Sequence, residues 1–476
     1  MLPSRAYSGF HRRTEKSLQA LILTKFVSWA TGVFYDVERS GPPMADGPLL
    51  VTTNHPNALV DPLVVFNTGG RPSRPMARAP LFDQAFSGTL LRGLRGLPVY
   101  RREDDPALMH QNDRTFDAAI EALHAGEAVQ IFPEGHSHSL PALAEIRTGA
   151  ARIAMMAEAR AGWKLGLRIQ PIGLTYSRKH LFRGRVLATY GQPFSVAEYR
   201  ERFERDERAT VREVTSRIRS GIEALTLNFQ DQEDSELVDV AERLYARHKG
   251  MARWRERDRM AERLPRLQRF AAGFEWLKGA DPDRFERLRA SVRRYLRLLT
   301  LLGASEGDVP PRYGLAPVML YVLLQLVMMV LVLPAAVVGM IAWAPPWVLT
   351  RWVAPRFRPK LDQVATYKLS VALLAFPLWY GIVATWAMWR TGPGLTVIAV
   401  LIGMPVVGMA AVAWRDRQRE VLEDTRVFLR AVRHRRGRDR LAEERSDLVR
   451  EIDELAEAWS ISRATPIKTS GPTPEA

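Results

Sequence analysis

Three charge-free apolar runs in the last third of the chain limit what it can become. Leu315 to Ala344 is broken by Gln325 and by Pro317, Pro334 and Gly339; Leu369 to Trp389 and Leu395 to Trp414 follow it. Each is long enough to enter a bilayer, where a helical span takes about 20 residues. Backbone in hydrocarbon must satisfy its own hydrogen bonds, so these runs are expected to be helices. Trp and Tyr gather at their ends, as membrane interfaces favour. A soluble core has no use for three such stretches together, so the expectation is a multi-pass membrane protein.

The flanking charges orient the runs. The connection from Pro345 to Lys368 carries Arg351, Arg356, Arg358, Lys360 and Lys368 against Asp362, and Arg415 to Arg440 carries ten Arg against five acidic residues. Between the second and third runs stands only Arg390, in an Arg-Thr-Gly-Pro-Gly turn. Lys and Arg prefer the cytoplasmic side. The second and third runs are therefore expected to form a hairpin with that turn outside. The first, a re-entrant or spanning run, is read as entering and leaving on the cytoplasmic face, bent near Pro334 and Gly339 and packed on the hairpin.

The formal net charge of +16 calls for an anionic partner: a phospholipid surface, a phosphorylated substrate or a nucleic acid. The hydrophobic C-terminal third argues against a soluble nucleic-acid-binding protein, and no nucleic acid is expected. With no cysteine, disulfides, thiolate zinc sites and a thiol nucleophile are excluded. At the N-terminus, Ser17 to Tyr35 places Leu18, Leu21, Phe26, Trp29 and Phe34 behind the basic His11-Arg12-Arg13, and reads as an amphipathic helix for the membrane interface.

From Gly47 to Phe194 strands and helices alternate, an α/β pattern. The strands are expected at 49–53, 98–101, 127–132, 169–175 and 186–190, with Tyr35-Asp36-Val37-Glu38 beginning the sheet, and the helices at 62–68, 83–94, 106–125 and 143–160. Polar motifs fall where strands end, the usual place for function in such folds. In Asn54-His55-Pro56-Asn57-Ala58-Leu59-Val60-Asp61, a histidine follows the apolar strand Leu49–Thr53, and Asp61-Pro62 reads as a helix start with Asp as N-cap. Six positions of continuous helix would set His55 and Asp61 about 120° apart on the cylinder. A turn through Pro56-Asn57 instead folds the carboxylate back to the imidazole. Such a pair deprotonates a hydroxyl: the imidazole takes the proton and the carboxylate fixes its tautomer.

Leu97-Pro98-Val99-Tyr100 delivers Arg101 and Arg102, which suit a phosphate. Phe132-Pro133-Glu134-Gly135-His136-Ser137 ends another strand with a carboxylate and a glycine that lets an anion approach backbone N–H groups.

With NHPNALVD, GLPVYRR, FPEGHS and Gln170-Pro171-Ile172-Gly173 in this order, residues 35 to 200 resemble the phospholipid/glycerol acyltransferase family, which includes lysophosphatidate and glycerol-3-phosphate acyltransferases. The resemblance implies a mixed sheet with flanking helices, His55 as base and Asp61 as its partner. It also implies substrate contacts from Asn54, Arg101, Arg102, Glu134, Gly135 and Pro171. Five residues rather than the family's usual four separate His55 from Asp61, as in the branch of fungal glycerol-3-phosphate and dihydroxyacetone-phosphate acyltransferases. The third block reads His136-Ser137-His138 where the family usually has Thr-Arg-Ser, so Arg101, His138 or Arg147 is left to replace the missing arginine.

The expected layout is an interface segment at 1–40, a catalytic domain at 41–200 and a helical module at 201–312. A membrane region at 313–414 and a basic helix with a disordered tail at 415–476 complete it. The expected activity is membrane-bound transfer of a fatty acyl group from acyl-CoA or acyl-carrier protein to the hydroxyl of a phosphorylated glycerol acceptor. Membrane lipids are the other partner, with no cofactor or metal. The alternative is a non-catalytic lipid-binding or tethering protein with a degenerate acyltransferase domain.

Overall fold

The computed structural model describes residues 26, 29–100, 111–177, 179–229, 232–249, 259–301, 315–392, 394–433 and 435–464. Most of the N-terminal segment, together with Arg101 and Arg102, lies outside the described residues. The chain divides into two compact units. The first runs to Asn228 and takes in Arg259–Ala261 and Pro345–Ile382; the second begins at Phe229 and includes Glu262–Ala344 and the chain from Val383 onward.

In the first unit, β1 (Tyr35–Ser40) and β2 (Leu49–Thr53) precede α1 (Val60–Thr68) and β3 (Ser73–Arg78). Then come α2 (Pro80–Asp83), α3 (Ala85–Gly93), β4 (Leu97–Val99), α4 (Gln111–His124), β5 (Ala128–Ile131) and α5 (Gly149–Arg160). β6 (Arg168–Tyr176), β7 (Gly184–Tyr190), β8 (Phe194–Ser195), α6 (Arg200–Arg205) and α7 (Glu207–Glu223) complete the series. The strands form one mixed sheet in the order β1-β7-β6-β2-β5-β3-β4, with β8 also on β6. β6 runs antiparallel to β7 and β8, and the other pairs are parallel.

β2 lies at the centre, between β5 and β6, and all five of its residues are buried. A strand covered on both faces reads as an unbroken apolar run, as Leu49-Leu50-Val51 does. Its side chains alternate between two cores. Leu50 joins Ile120, Ile153, Val214 and Ile218 on one face, while Leu49 and Val51 join Leu63, Val64, Leu90 and Leu369 on the other. Full burial of each such side chain contributes about 1.5–3 kcal/mol.

Several expectations need correction. The strand β3 was not anticipated, because Ser-Arg-Pro-Met-Ala-Arg carries a proline and two arginines; it is admitted since Arg74 reaches the Arg95 carbonyl (2.9 Å) and Glu127 (3.1 Å). The helix expected at 83–94 breaks at Gln84, whose backbone is extended, into α2 and α3. The helix expected from 143 starts at Gly149, because the preceding backbone is held by other partners: Leu143 N–H on Asn228 (2.9 Å), Ala144 N–H on Glu134 (2.8 Å) and Arg147 N–H on the Pro133 carbonyl (2.8 Å).

The expected domain edge at 200 moves as well, since Val211, Val214, Ile218 and Ile222 of α7 belong to the sheet's own core. The start of the domain moves from 41 to β1.

The second unit holds α8 (Gln232–His248), α9 (Met260–Ala280) and α10 (Pro282–Leu301). α11 (Leu315–Ala342) follows; α12 (Ala344–Val353) returns to the first unit, and α13 (Val364–Thr391) leaves it again. α14 (Leu395–Arg433) and α15 (Arg435–Ala464) close the chain. Residues 435–464, expected as part of a basic helix and tail, instead supply Leu441, Leu448, Val449 and Ile452 to a core with Val240, Leu244, Val292 and Tyr295. Residues Leu323–Ala342, Val364–Thr391 and Thr396–Gln418 are long and apolar enough to cross a membrane. α11 continues through Pro334 and Gly339 as one helix, and the first break in the helical backbone falls at Trp343.

Candidate active site

The site is built on the turn from β2 into α1. Ala58 takes a left-handed backbone (φ 41°), an uncommon conformation for a residue with a side chain, and this reverses the chain between His55 and Asp61. The N–H of Val60 closes on the Asn57 carbonyl at 3.0 Å. Asp61 is not the N-cap that Asp61-Pro62 suggested. It lies in the first turn of α1, fully buried, and its carboxylate faces inward.

His55 Nδ1 lies 2.9 Å from Asp61 Oδ2. The carboxylate only accepts, so Nδ1 carries the proton and Nε2 is left with its lone pair. Asn57 N–H donates to the same oxygen (2.7 Å) and Tyr176 O–H donates to Oδ1 (2.7 Å). Three donors thus stabilise a carboxylate taken out of water. The imidazole is 16% exposed and stacks on Phe132, with ring centroids 4.0 Å apart.

A second set of bonds fixes the His55 backbone. Its N–H donates to Glu134 Oε1 (2.6 Å), and its carbonyl accepts from His138 N–H (3.1 Å). Glu134 Oε2 accepts from Ala144 N–H (2.8 Å) and pairs with the His138 ring. Burial pushes the Glu134 carboxyl up, but the His138 hydrogen bond and charge, with two backbone N–H groups, outweigh it and hold the carboxyl below its ordinary value. Residues of the third block therefore grip both backbone groups of His55.

The expected site residues fall into three groups. His55, Asp61 and Glu134 come together directly. Asn54 turns away: its amide donates to the Leu174 carbonyl (3.0 Å) and its oxygen accepts from Leu174 N–H (2.7 Å), which locks the end of β2 to β6. Pro171 lies inside β6, where its carbonyl accepts from Gly191 N–H (2.9 Å) opposite the break between β7 and β8. A strand residue aims its N–H and carbonyl to the same side, so the missing donor costs no ladder bond there. A Cβ on Gly191 would lie 2.9 Å from the Pro171 ring, so this proline is packed into the sheet. Gly135 has φ +76°, and a Cβ there would lie 3.0 Å from Arg147 Nε. Of the three candidates for the missing arginine, His138 is committed to Glu134, Arg101 lies outside the described residues, and the exposed Arg147 lies over Gly135.

The sequence reading missed Tyr35, Asn57, Tyr176 and Lys179. Asn57 Nδ2 donates to the Tyr35 hydroxyl (2.9 Å), which itself donates to the Lys179 carbonyl (2.5 Å). The Lys179 ammonium donates to the Pro56 carbonyl (2.9 Å) and Ser139 Oγ (2.7 Å), joining three loops. Burial pulls that ammonium below its ordinary value against the opposing charges of Asp61 and Asp362. Tyr35 is hard to foresee, because it comes from the start of β1 rather than from a carboxyl end. β1 and β7 run opposite to β2, which brings their beginnings to this rim.

Tyr176 stays a donor, since burial first and then the Asp61 charge push its phenol far above the ordinary value. Tyr176→Phe is expected to lower stability by about 1.5–3 kcal/mol, the worth of a hydrogen bond to a charged group. Thermal unfolding in detergent measures it.

The site thus holds an imidazole, its Nε2 lone pair free, against a buried carboxylate at the end of a central strand, with a glycine turn beside it. Residues 34–175 match the family model described as Acyltransferase, and residues 237–460 match that described as Glycerol-3-phosphate acyltransferase 2 C-terminal domain. The chain carries an acyltransferase-family domain. The two matches in this order agree with the resemblance to the fungal glycerol-3-phosphate acyltransferase branch. It is similar to glycerol-3-phosphate O-acyltransferase 2 of Saccharomyces cerevisiae, 26% identical over 289 residues, or 56% of this chain and 37% of that protein. Glycerol-3-phosphate O-acyltransferase 1 of the same yeast is 22% identical over 285 residues, 56% of this chain and 36% of that one. The chain thus spans well under half the length of either relative. The crystal structure of the 1-acyl-sn-glycerophosphate acyltransferase PlsC from Thermotoga maritima aligns with 45% of this chain and 84% of that chain, at 20% identity and a TM-score of 0.32.

Proposed function

We propose that this chain transfers a fatty acyl group from acyl-CoA or an acyl-carrier-protein thioester to a hydroxyl of glycerol-3-phosphate or lysophosphatidate, at the cytoplasmic face of a membrane, in phospholipid synthesis. The observation that carries this reading is the 2.9 Å His55–Asp61 pair, whose imidazole is 16% exposed. Donor and acceptor bind together. His55 Nε2 takes the proton of the acceptor hydroxyl as its oxygen attacks the thioester carbonyl, and Asp61 stabilises the imidazolium. Collapse of the tetrahedral intermediate breaks the C–S bond, and the imidazolium returns its proton to the leaving thiolate. No acyl-enzyme forms. Backbone N–H groups following Gly135 are suited to the oxyanion or to the acceptor phosphate, whereas Pro56 has no N–H and that of Asn57 is taken by Asp61.

In this reading Arg102, with Arg101, holds the acceptor phosphate, and Arg147 adds a cation above Gly135. Three apolar helices and the basic segments beside them support attachment to an anionic membrane from the cytoplasmic side. The test is an assay of labelled acyl-CoA with glycerol-3-phosphate, lysophosphatidate and dihydroxyacetone phosphate in turn. Ester product that depends on the acceptor supports transfer, whereas binding without product supports a lipid-binding or tethering role. Arg102→Lys keeps the charge but loses paired hydrogen bonding, so KM for the acceptor is expected to rise while KM for the donor holds. A defect confined to the donor would refute the phosphate role.

A further inference from the structure

Among the described residues three helices are apolar enough to cross a bilayer, yet contacts inside each unit forbid three crossings. In the first unit Ala261 N–H donates to Glu38 (3.1 Å), Ser137 Oγ donates to Asp362 (2.6 Å) and Lys368 donates to the His180 carbonyl (2.9 Å). Residues 261 and 362 are therefore on the same side of a membrane as His55. Among the described residues between them, only Leu323–Ala342 is long and apolar enough to cross. One crossing would carry Asp362 away from Ser137. α12 cannot supply a second, because its 10 residues span about 15 Å against a hydrocarbon core of about 30 Å.

The second unit gives the same answer independently. Leu299 of α10 and Leu441 of α15 share one core, and all three candidate spans lie between them. An odd number of crossings would split that core across the membrane.

We infer that α11 is a re-entrant limb: it enters the leaflet nearest the catalytic site, turns at Trp343 and returns to the same face through α12, while α13 and α14 cross. The inference rests on the membrane reading above. Its partner is the acyl chains of that leaflet, which meet the exposed Leu324, Val327, Leu331, Val338 and Ile341. A turn inside hydrocarbon must be buried by protein. α14 does this. Trp343 Nε1 donates to the Met404 carbonyl (2.9 Å). The backbones close tightly enough that a Cβ on Gly339 would lie 2.0 Å from the Val407 carbonyl oxygen. At the other end of the antiparallel pair Arg417 donates to Gln325 (2.6 Å), which sets the start of the limb beside the arginine-bearing end of α14. The returning chain then delivers Asp362 to Ser137, two residues after Gly135.

The absence of cysteine makes the test direct. Single variants Thr300→Cys, Lys360→Cys and Gly394→Cys of the full chain are treated in intact cells with an impermeant maleimide, before and after permeabilisation. Arg297→Cys and Arg356→Cys serve as second reporters of the first two positions. Labelling at 394 in intact cells, with 300 and 360 both labelled only after permeabilisation, is expected. Opposite behaviour at 300 and 360 overturns the inference, and so does protection of all three in protein that stays with the membrane pellet after an alkaline wash. Release of the protein by that wash defeats the membrane reading itself, and the inference with it.

Discussion

His55→Ala is expected to lower kcat by about 10²–10⁴-fold, the usual worth of a positioned general base, with KM for donor and acceptor little changed. Four observations make the loss specific to proton transfer. The ring is held through Nδ1 by Asp61, Phe132 stacks on it, and its backbone N–H and carbonyl are gripped by Glu134 and His138. Alanine keeps both backbone bonds, so the β2–α1 turn is retained and only the imidazole is removed. The variant is expected to fold but to unfold at lower temperature, since Asp61 loses one donor as it does in Tyr176→Phe; turnover lost well beyond that of Tyr176→Phe separates catalysis from folding. A His55→Ala protein that acylates at the wild-type rate refutes the base assignment.

Asp61→Asn is expected to reduce kcat by about 10³–10⁴-fold, because an amide stabilises neither the imidazolium nor the tautomer with Nε2 free. The substitution acts on more than His55. Asn57 N–H and Tyr176 O–H also donate to this buried carboxylate, so an amide NH₂ turned toward either of them meets a donor. A loss of stability accompanies the loss of rate, on the scale of a disrupted buried network. His55 and Asp61 act as one unit. The double variant is therefore expected to fall little below His55→Ala alone, and additive losses would show that Asp61 acts by another route.

The pairing of His55 with Asp61 was legible because both groups sit in one short motif behind an apolar strand. Its mechanics were not. Asp61-Pro62 carries the pattern of a helix cap, yet a cap faces solvent and accepts from its own helix, whereas Asp61 is buried and serves groups from β6 and the turn. Tyr35 and Tyr176 are 141 positions apart in the chain, and only the sheet order brings them to one rim. Asn54 and Pro171 illustrate the converse: both stand inside recognisable blocks, yet Asn54 ties the end of β2 to β6 and Pro171 ties β6 to Gly191 after β7.

Apolar composition also reads the same whether lipid or protein covers it. Ala365, Leu369 and Leu373 at the start of α13 pack beside Leu63 and Val64 in the catalytic core, while Leu378, Ile382 and Trp386 further along are exposed. Nothing in the run announces where one environment gives way to the other. The helical spacing Val211-Val214-Ile218-Ile222 was equally visible, but its partner was not. The sheet, rather than a separate module, buries that stripe.

The central claim is that His55 takes the proton of an acceptor hydroxyl whose oxygen attacks the acyl thioester directly. It is tested most directly by incubating the purified chain with labelled acyl-CoA, with and without the acceptor panel, beside His55→Ala. The account predicts ester product only with acceptor and wild-type protein, and no label retained on the polypeptide when acceptor is omitted. Label bound covalently to the protein, or equal ester from the His55→Ala variant, would contradict it.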